Sequence, residues 1–159
     1  MGKADAATIA REVLAANLYM TLATADTTGR PWASPVYFTA DGTRDFYWIS
    51  SPEARHSHNI AERPEVGIVV FDSRVAVGTA EAVYMTGTAE QVADDELETG
   101  ARLYSARLPE GRRFEPDELR APAPFRLYRA RVTEHDILLR GGDPENRRGA
   151  DDRKPVDLP

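Results

Sequence analysis

The sequence predicts a mainly β, α+β chain: an antiparallel barrel or sheet with helices at its margins. Three observations carry that prediction. Six apolar or alternating runs of strand length recur between residues 18 and 140. The turns between several of them are short and punctuated by Gly, Pro and Asp, as in DTTGRP (26–31) and DGT (41–43). Repeated alternation of strand with helix is missing, so a doubly wound parallel sheet is not expected.

The elements follow in order. Residues 5–16 read as a helix: Asp5 caps it, Ala6, Ile9, Ala10, Val13 and Leu14 share a face, and Asn17 ends it. LYMTLATA (18–25) has strand composition. WASPVYFTA (32–40) reads as one strand whose internal Pro35 demands an edge, a bulge or a closely approaching ligand. DGT then turns the chain into RDFYWIS (44–50) as a hairpin. VGIVVFD (66–72) is nearly all apolar and belongs at the sheet's centre. EAVYMTGTAEQV (81–92) follows, with Gly87 marking a bulge. Asp94 or Asp95 opens a helix with Leu97, Ala101, Tyr104 and Leu108 on one stripe. Residues 109–124 read as loop with at most a helical turn, and 124–140 supply one or two final strands. A polar tail, 141–159, is expected either to be disordered or to lie over another surface.

Composition narrows the function classes. A hydrophobic share of 42% is enough for a core of its own in 159 residues. The net charge of −6 offers no long-range attraction to nucleic acid or an anionic membrane, so neither partner is expected. No stretch is long and apolar enough to span a bilayer, and a cytoplasmic protein is expected. Without cysteine there is no disulfide, thiolate metal site or cysteine nucleophile. The only lysines are Lys3 and Lys154, near the ends, so the body of the fold has none for a Schiff base. Sequence signatures of phosphate loops, dinucleotide folds and serine hydrolases are absent.

The connector ISSPEARHSHNIAERP (49–64) gathers hydroxyls, a guanidinium and two imidazoles. Ser51-Pro52-Glu53 has the grammar of a helix start, which predicts a helix from Pro52 to Glu62 stopped by Arg63-Pro64. Its amino end, with Arg55 and His56 in the first turn and Ser50 and Ser51 just before, is suited to an anion such as a phosphate monoester. A solvated helix with two surface histidines and a capping serine meets the same pattern without a ligand. His56 and His58 point about 200° apart on such a helix, so they do not share a metal, and no metal site is expected.

The ordered run GRPWASPVYFTADGTRDFYWISSPEARHSHNIAERPEVGIVVFD resembles the pyridoxamine 5′-phosphate oxidase-like family of FMN-binding split β-barrels. The resemblance spans residues 18–92 closely and the rest loosely. It implies an antiparallel six-stranded split β-barrel with flanking helices, a flavin-binding domain over 1–140 and a polar C-terminal tail over 141–159. It places the ring-facing strand on Ser34, Pro35, Val36 and Tyr37, the end of the next strand on Ile49 and Ser50, Ser51 beside them, and the phosphate grip on Arg55 and His56. His56 stands where the family has lysine, and phosphate is expected to raise its pKa. Ala54 and Ala82 stand where a serine and a glutamine are usual.

The resemblance also implies a homodimer with each cofactor at the subunit interface, and Trp32, Tyr37, Phe46, Trp48 and Tyr84 supply aromatic surface for it. The end of the chain, GADDRKPVDLP, lacks the family's substrate-clamping arginine signature. The expected function is therefore an FMN-dependent oxidoreductase acting on another small molecule. Tyr37, His58 and Arg126 are the candidate proton-transfer groups, with no catalytic residue assigned. The alternatives are a reductase using the deazaflavin F420, with Arg112, Arg113, Arg120, Arg126, Arg129 and Arg131 as a basic groove, and a flavin-binding protein without turnover.

Overall fold

The computed structural model describes residues 5–159. Helix α1 (Ala6–Ala16) is capped by Asp5, whose carboxylate accepts from the Thr8 N–H at 3.0 Å. At its other end Asn17 folds back to donate to the Val13 carbonyl at 2.8 Å. Strands β1 (Tyr19–Ala25) and β2 (Pro31–Tyr37) form the first hairpin. Then come β3 (Thr39–Asp41), β4 (Asp45–Ser50), α2 (Arg55–Glu62), β5 (Glu65–Phe71), β6 (Ala82–Gln91), α3 (Leu97–Ser105), β7 (Arg126–Leu139) and β8 (Asp152–Pro155).

These strands make one eight-stranded antiparallel sheet in the order β2-β1-β5-β6-β7-β4-β3, with β8 added to β7. The edge strands β2 and β3 lie at opposite ends of that order, yet a single residue, Phe38, joins them. The sheet must therefore curl until its two ends meet. They meet without a ladder between β2 and β4, and the result is a barrel with a split.

Two departures from the six expected strands account for the count of eight. Residues 32–40 form two strands that part at Phe38, whose side chain is fully buried while its N–H donates to the Leu18 carbonyl at 3.1 Å. Part of the tail is the other: Asp152–Pro155 pairs with β7, and beyond it Leu158 is only 2% exposed in the main core. Pro35 lies on an edge strand, where its missing N–H costs no bond to a second neighbour.

The main core fills the barrel with the apolar stripe of α1, the inward residues of β1, β5 and β6, and Phe38, Phe46 and Trp48. Trp48 stacks on Tyr128 at 5.7 Å. A second core lies on the other face of β4 and β7, where Leu97, Ala101 and Tyr104 of α3 cover Tyr47 and Leu127. Helix α3 begins at Leu97 after Glu96, without the aspartate cap expected at 94 or 95. Its amino end is instead fixed by charge: Arg129, 5% exposed, takes both Glu96 oxygens at 2.9 and 3.0 Å and Glu90 at 2.7 Å.

Gly87 lies where the β6–β7 register shifts between Thr86 and Gly87. A Cβ there would stand 2.1 Å from the Arg131 carbonyl oxygen. The irregularity divides the long β7: Arg126–Arg131 pairs with β4 on one side of it, and Asp136–Leu139 with β8 on the other.

Candidate functional site

The split is closed from outside by α2. Ser57 Oγ donates to the Ser51 carbonyl at 2.7 Å, and the buried Asn59 donates from Nδ2 to Thr24 Oγ1 on β1 at 2.9 Å. These bonds fix the helix across the gap and set the direction of its first residues. The helix starts at Arg55, three residues later than its sequence pattern predicts, with Ala54 as N-cap and no capping side chain. Ser51 serves a preceding turn instead: its hydroxyl accepts from the Glu53 N–H at 3.1 Å and its carbonyl from the Ala54 N–H at 3.1 Å. The Ser-Pro-Glu pattern satisfies either geometry, and the bond from Ser57, six residues on, accompanies the turn.

His56 is the centre of the site. It is 8% exposed, and its two ring nitrogens face hydroxyls from the two edges of the split. Nε2 lies 2.7 Å from Ser50 Oγ at the end of β4, and Nδ1 lies 3.2 Å from Ser34 Oγ on β2. These strands are far apart in the sheet order, so one imidazole spans the seam. Burial pushes the His56 pKa down from its ordinary value. The rise expected from a phosphate belongs to the bound state; without that partner, burial favours the neutral imidazole.

Arg55, the first residue of α2, places its guanidinium 4.3 Å from the centre of the Trp32 ring on β2. It forms no ion pair among the described residues. Asp26 in the β1–β2 turn feels its charge, and Asp26 Oδ1 already accepts from the Thr28 N–H and hydroxyl and from the Arg30 N–H. A helix amino end with no capping side chain therefore stands beside an unpaired cation and two serine hydroxyls.

The other sequence-derived residues divide. Ile49 is half-buried at the same edge. Along β2, Ser34 and Val36 face inward while Pro35 and Tyr37 face out, so the strand offers its backbone rather than one row of side chains. Val36 belongs to the core. Tyr37 donates its hydroxyl proton to the Arg107 carbonyl at 2.6 Å and packs edge-on against Tyr104, which removes it from proton transfer at the seam. Arg126 donates to the Ala123 and Phe125 carbonyls. His58 is exposed, 3.5 Å from Glu53, and lines a hollow of about 370 Å³ with Pro52, Ile60, Pro64 and Tyr128.

Of the six arginines expected to form a basic groove, five are engaged. Arg129 and Arg131 pair with Glu90 and Glu96, Arg113 with Glu115, Arg120 with Asp117, and Arg126 with carbonyls. Among the aromatic residues, Phe46 and Trp48 are core, Tyr37 and Tyr84 are half-buried, and Trp32 is 40% exposed. The contacts Arg55–Trp32 and His56–Ser34 join residues more than twenty positions apart, and no local pattern announces them. No group of three or more His, Asp or Glu side chains among the described residues is arranged to hold a metal ion. No described helix is long and apolar enough to cross a membrane.

A split barrel with a short helix laid across its seam defines a class of small β proteins. The pyridoxamine 5′-phosphate oxidase family matches residues 8–137, and the chain belongs to that family. Solved structures share the fold at low identity. A heme binding protein from Mycobacterium smegmatis superposes with a TM-score of 0.72 at 23% identity, over 98% of this chain and 60% of its own. A pyridoxamine 5′-phosphate oxidase-related, FMN binding protein from Nostoc punctiforme gives 0.59 at 17% identity over 98% of both chains. An F420 reductase gives 0.54 at 22%, over 74% of this chain and 88% of its own. This chain thus spans 60% of the length of the mycobacterial protein. No curated protein matches the sequence.

Proposed function

We propose that this chain binds FMN at the seam and is an oxidoreductase acting on a small molecule. The observation that carries the reading is the amino end of α2: no side chain caps it, and the unpaired Arg55 and the hydroxyls of Ser34 and Ser50 lie around it. Such a donor set fits a phosphate monoester. When bound, the flavin supplies the hydride chemistry. The chain supplies the hold: backbone N–H groups of α2 and the Arg55 fork for the phosphate, and the exposed edge of β2 for a flat ring.

The reading includes a homodimer. Tyr19 and Phe71 are 59% and 44% exposed, and Ala23, Ala33 and Pro35 share their outward face of β1, β2 and β5. A second copy on this face would cover it and wall the β2 edge beside the seam.

The test is direct. FMN titrated into the purified protein should bind with quenched flavin fluorescence, and Arg55→Ala should weaken it. The lost charge-assisted contact is worth roughly 1.5–3 kcal/mol, and the stacking on Trp32 given up on binding offsets about 0.5–1 of that. The net of about 0.5–2.5 kcal/mol corresponds to a loss of about 2- to 70-fold in affinity. An unchanged Kd means Arg55 is a surface residue. Preferential uptake of F420 would move the reading to the deazaflavin, and flavin that binds but accepts no electrons from any donor would leave a binding protein. Light scattering checks the dimer.

A further inference from the structure

Ser34, His56 and Ser50 form a three-member chain across the seam, and its hydrogen-bond count depends on one proton. A neutral imidazole has one N–H and one bare nitrogen. One serine accepts from the N–H and keeps its own O–H free. The other must spend its O–H on the bare nitrogen. With two N–H groups, the imidazolium donates to both serines and leaves both O–H groups free. Neither hydroxyl has another hydrogen-bond partner among the described residues. Protonation of His56 thus turns one available donor into two, and adds a positive charge behind them.

We propose that His56 is a proton-coupled latch for a dianion: a phosphate monoester seated at the amino end of α2 draws one proton from solvent onto His56, and both serine hydroxyls then donate to it. This rests on the proposed cofactor site and adds to it a rule of selection. The seam prefers a phosphorylated flavin to the same ring without phosphate, and grips it less well as pH rises.

The surroundings leave His56 as the titrating member. On α2 itself the charged or titratable neighbours are Arg55 and His58. The loop before the helix contributes Glu53, which faces His58 at 3.5 Å. The β1–β2 turn contributes Asp26, held below the usual carboxylate range by Thr28 and Arg30. On β7, Arg126 stands opposite Ser50 in register and is spent on carbonyls. None of these hydrogen-bonds or ion-pairs with the imidazole. Burial is what holds its pKa down in the free protein, so a nearby dianion has room to raise it.

The experiment is calorimetric titration of the full chain with FMN and with riboflavin at about pH 7.5, above the second phosphate pKa of roughly 6, in two buffers of different ionisation enthalpy. Proton uptake approaching one is expected for FMN and none for riboflavin, with FMN affinity falling up to about tenfold per pH unit. His56→Gln keeps one donor and one acceptor but cannot charge. It should bind FMN more weakly, without proton uptake and with a flat pH profile. FMN bound without proton uptake, or unchanged uptake in His56→Gln, overturns the latch while the flavin site stands. Inorganic phosphate with nitrogen-detected histidine NMR separates the remaining cases. If FMN does not bind but phosphate raises the His56 titration, the latch stands and the flavin reading falls. If phosphate leaves that titration unmoved, the latch is wrong.

Discussion

Replacing Gly87 with alanine should damage this fold more than its single added methyl suggests. The new Cβ would sit 2.1 Å from the Arg131 carbonyl oxygen, 2.8 Å from its carbon and 2.9 Å from Val132 Cα. All three are backbone atoms in the neighbouring strand, so no flexible side chain can swing aside. Relief requires β7 to move away from β6 near the register shift. At that point β7 passes from its pairing with β4 to its pairing with β8, and both ladders would feel the displacement. Overpacking a tight site costs about 1–3 kcal/mol, and an obstruction made of backbone belongs at or above the top of that range. For a domain of this size about 3 kcal/mol lowers Tm by roughly 6–12 °C. Gly42→Ala is the control. Gly42 has φ of +63° with nothing within 4 Å, so alanine there meets backbone strain alone, about 1–2 kcal/mol. Thermal unfolding of the two variants, followed by circular dichroism, decides the matter. If Gly87→Ala melts within roughly 2 °C of the parent, a shift of about 1 kcal/mol or less, the close approach at the bulge is not what the strand pairing depends on.

Two further perturbations test other parts of the fold. Burial pushes the pKa of His56 down, and burial, with Arg44 adding to it, lowers that of His135. A depressed histidine pKa means the folded state resists protonation, so stability should be flat above about pH 7 and fall as pH drops below roughly 6.5. Denaturant midpoints measured from pH 7.5 down to 5 should show this decline, and His135→Gln should reduce it; a profile flat to pH 5 contradicts the burial of both rings. Leu158→Ala should cost about 2–5 kcal/mol, because Leu158 is 2% exposed in the main core. Proteolysis near the C-terminal strand should quicken in parallel, and a variant as stable and as resistant as the parent would mean that the tail is not anchored there.

Much of the fold was legible in the sequence because periodicity and punctuation are local. The α1 stripe with its Asp5 cap, the apolar β5, the Asp41-Gly42-Thr43 hairpin and the Gly87 bulge each come from residues adjacent in the chain. The candidate site was legible only as an inventory. Ser34, Ser50, Arg55 and His56 could be gathered from the sequence, yet their contacts were not readable: the His56 ring lies between the two serine hydroxyls, and Arg55 stands over Trp32. Tyr37 had the chemistry of an acid and is spent on the Arg107 carbonyl, 70 residues away.

By itself the sequence determined most of the elements, their order and the excess of β over α, since each follows from the side-chain pattern along a few turns or strands. The break at Phe38 and the pairing of the tail as β8 lay outside that pattern. Closure of the sheet was decided only in three dimensions. One residue, Phe38, joins two edge strands that stand at opposite ends of the sheet order, and this forces a curl that no local pattern encodes. The same closure brings Ser34 and Ser50 to either side of one imidazole, and burial there sets its charge. Distance and desolvation are properties of the packed molecule, so the chemistry of this seam belongs to the tertiary structure.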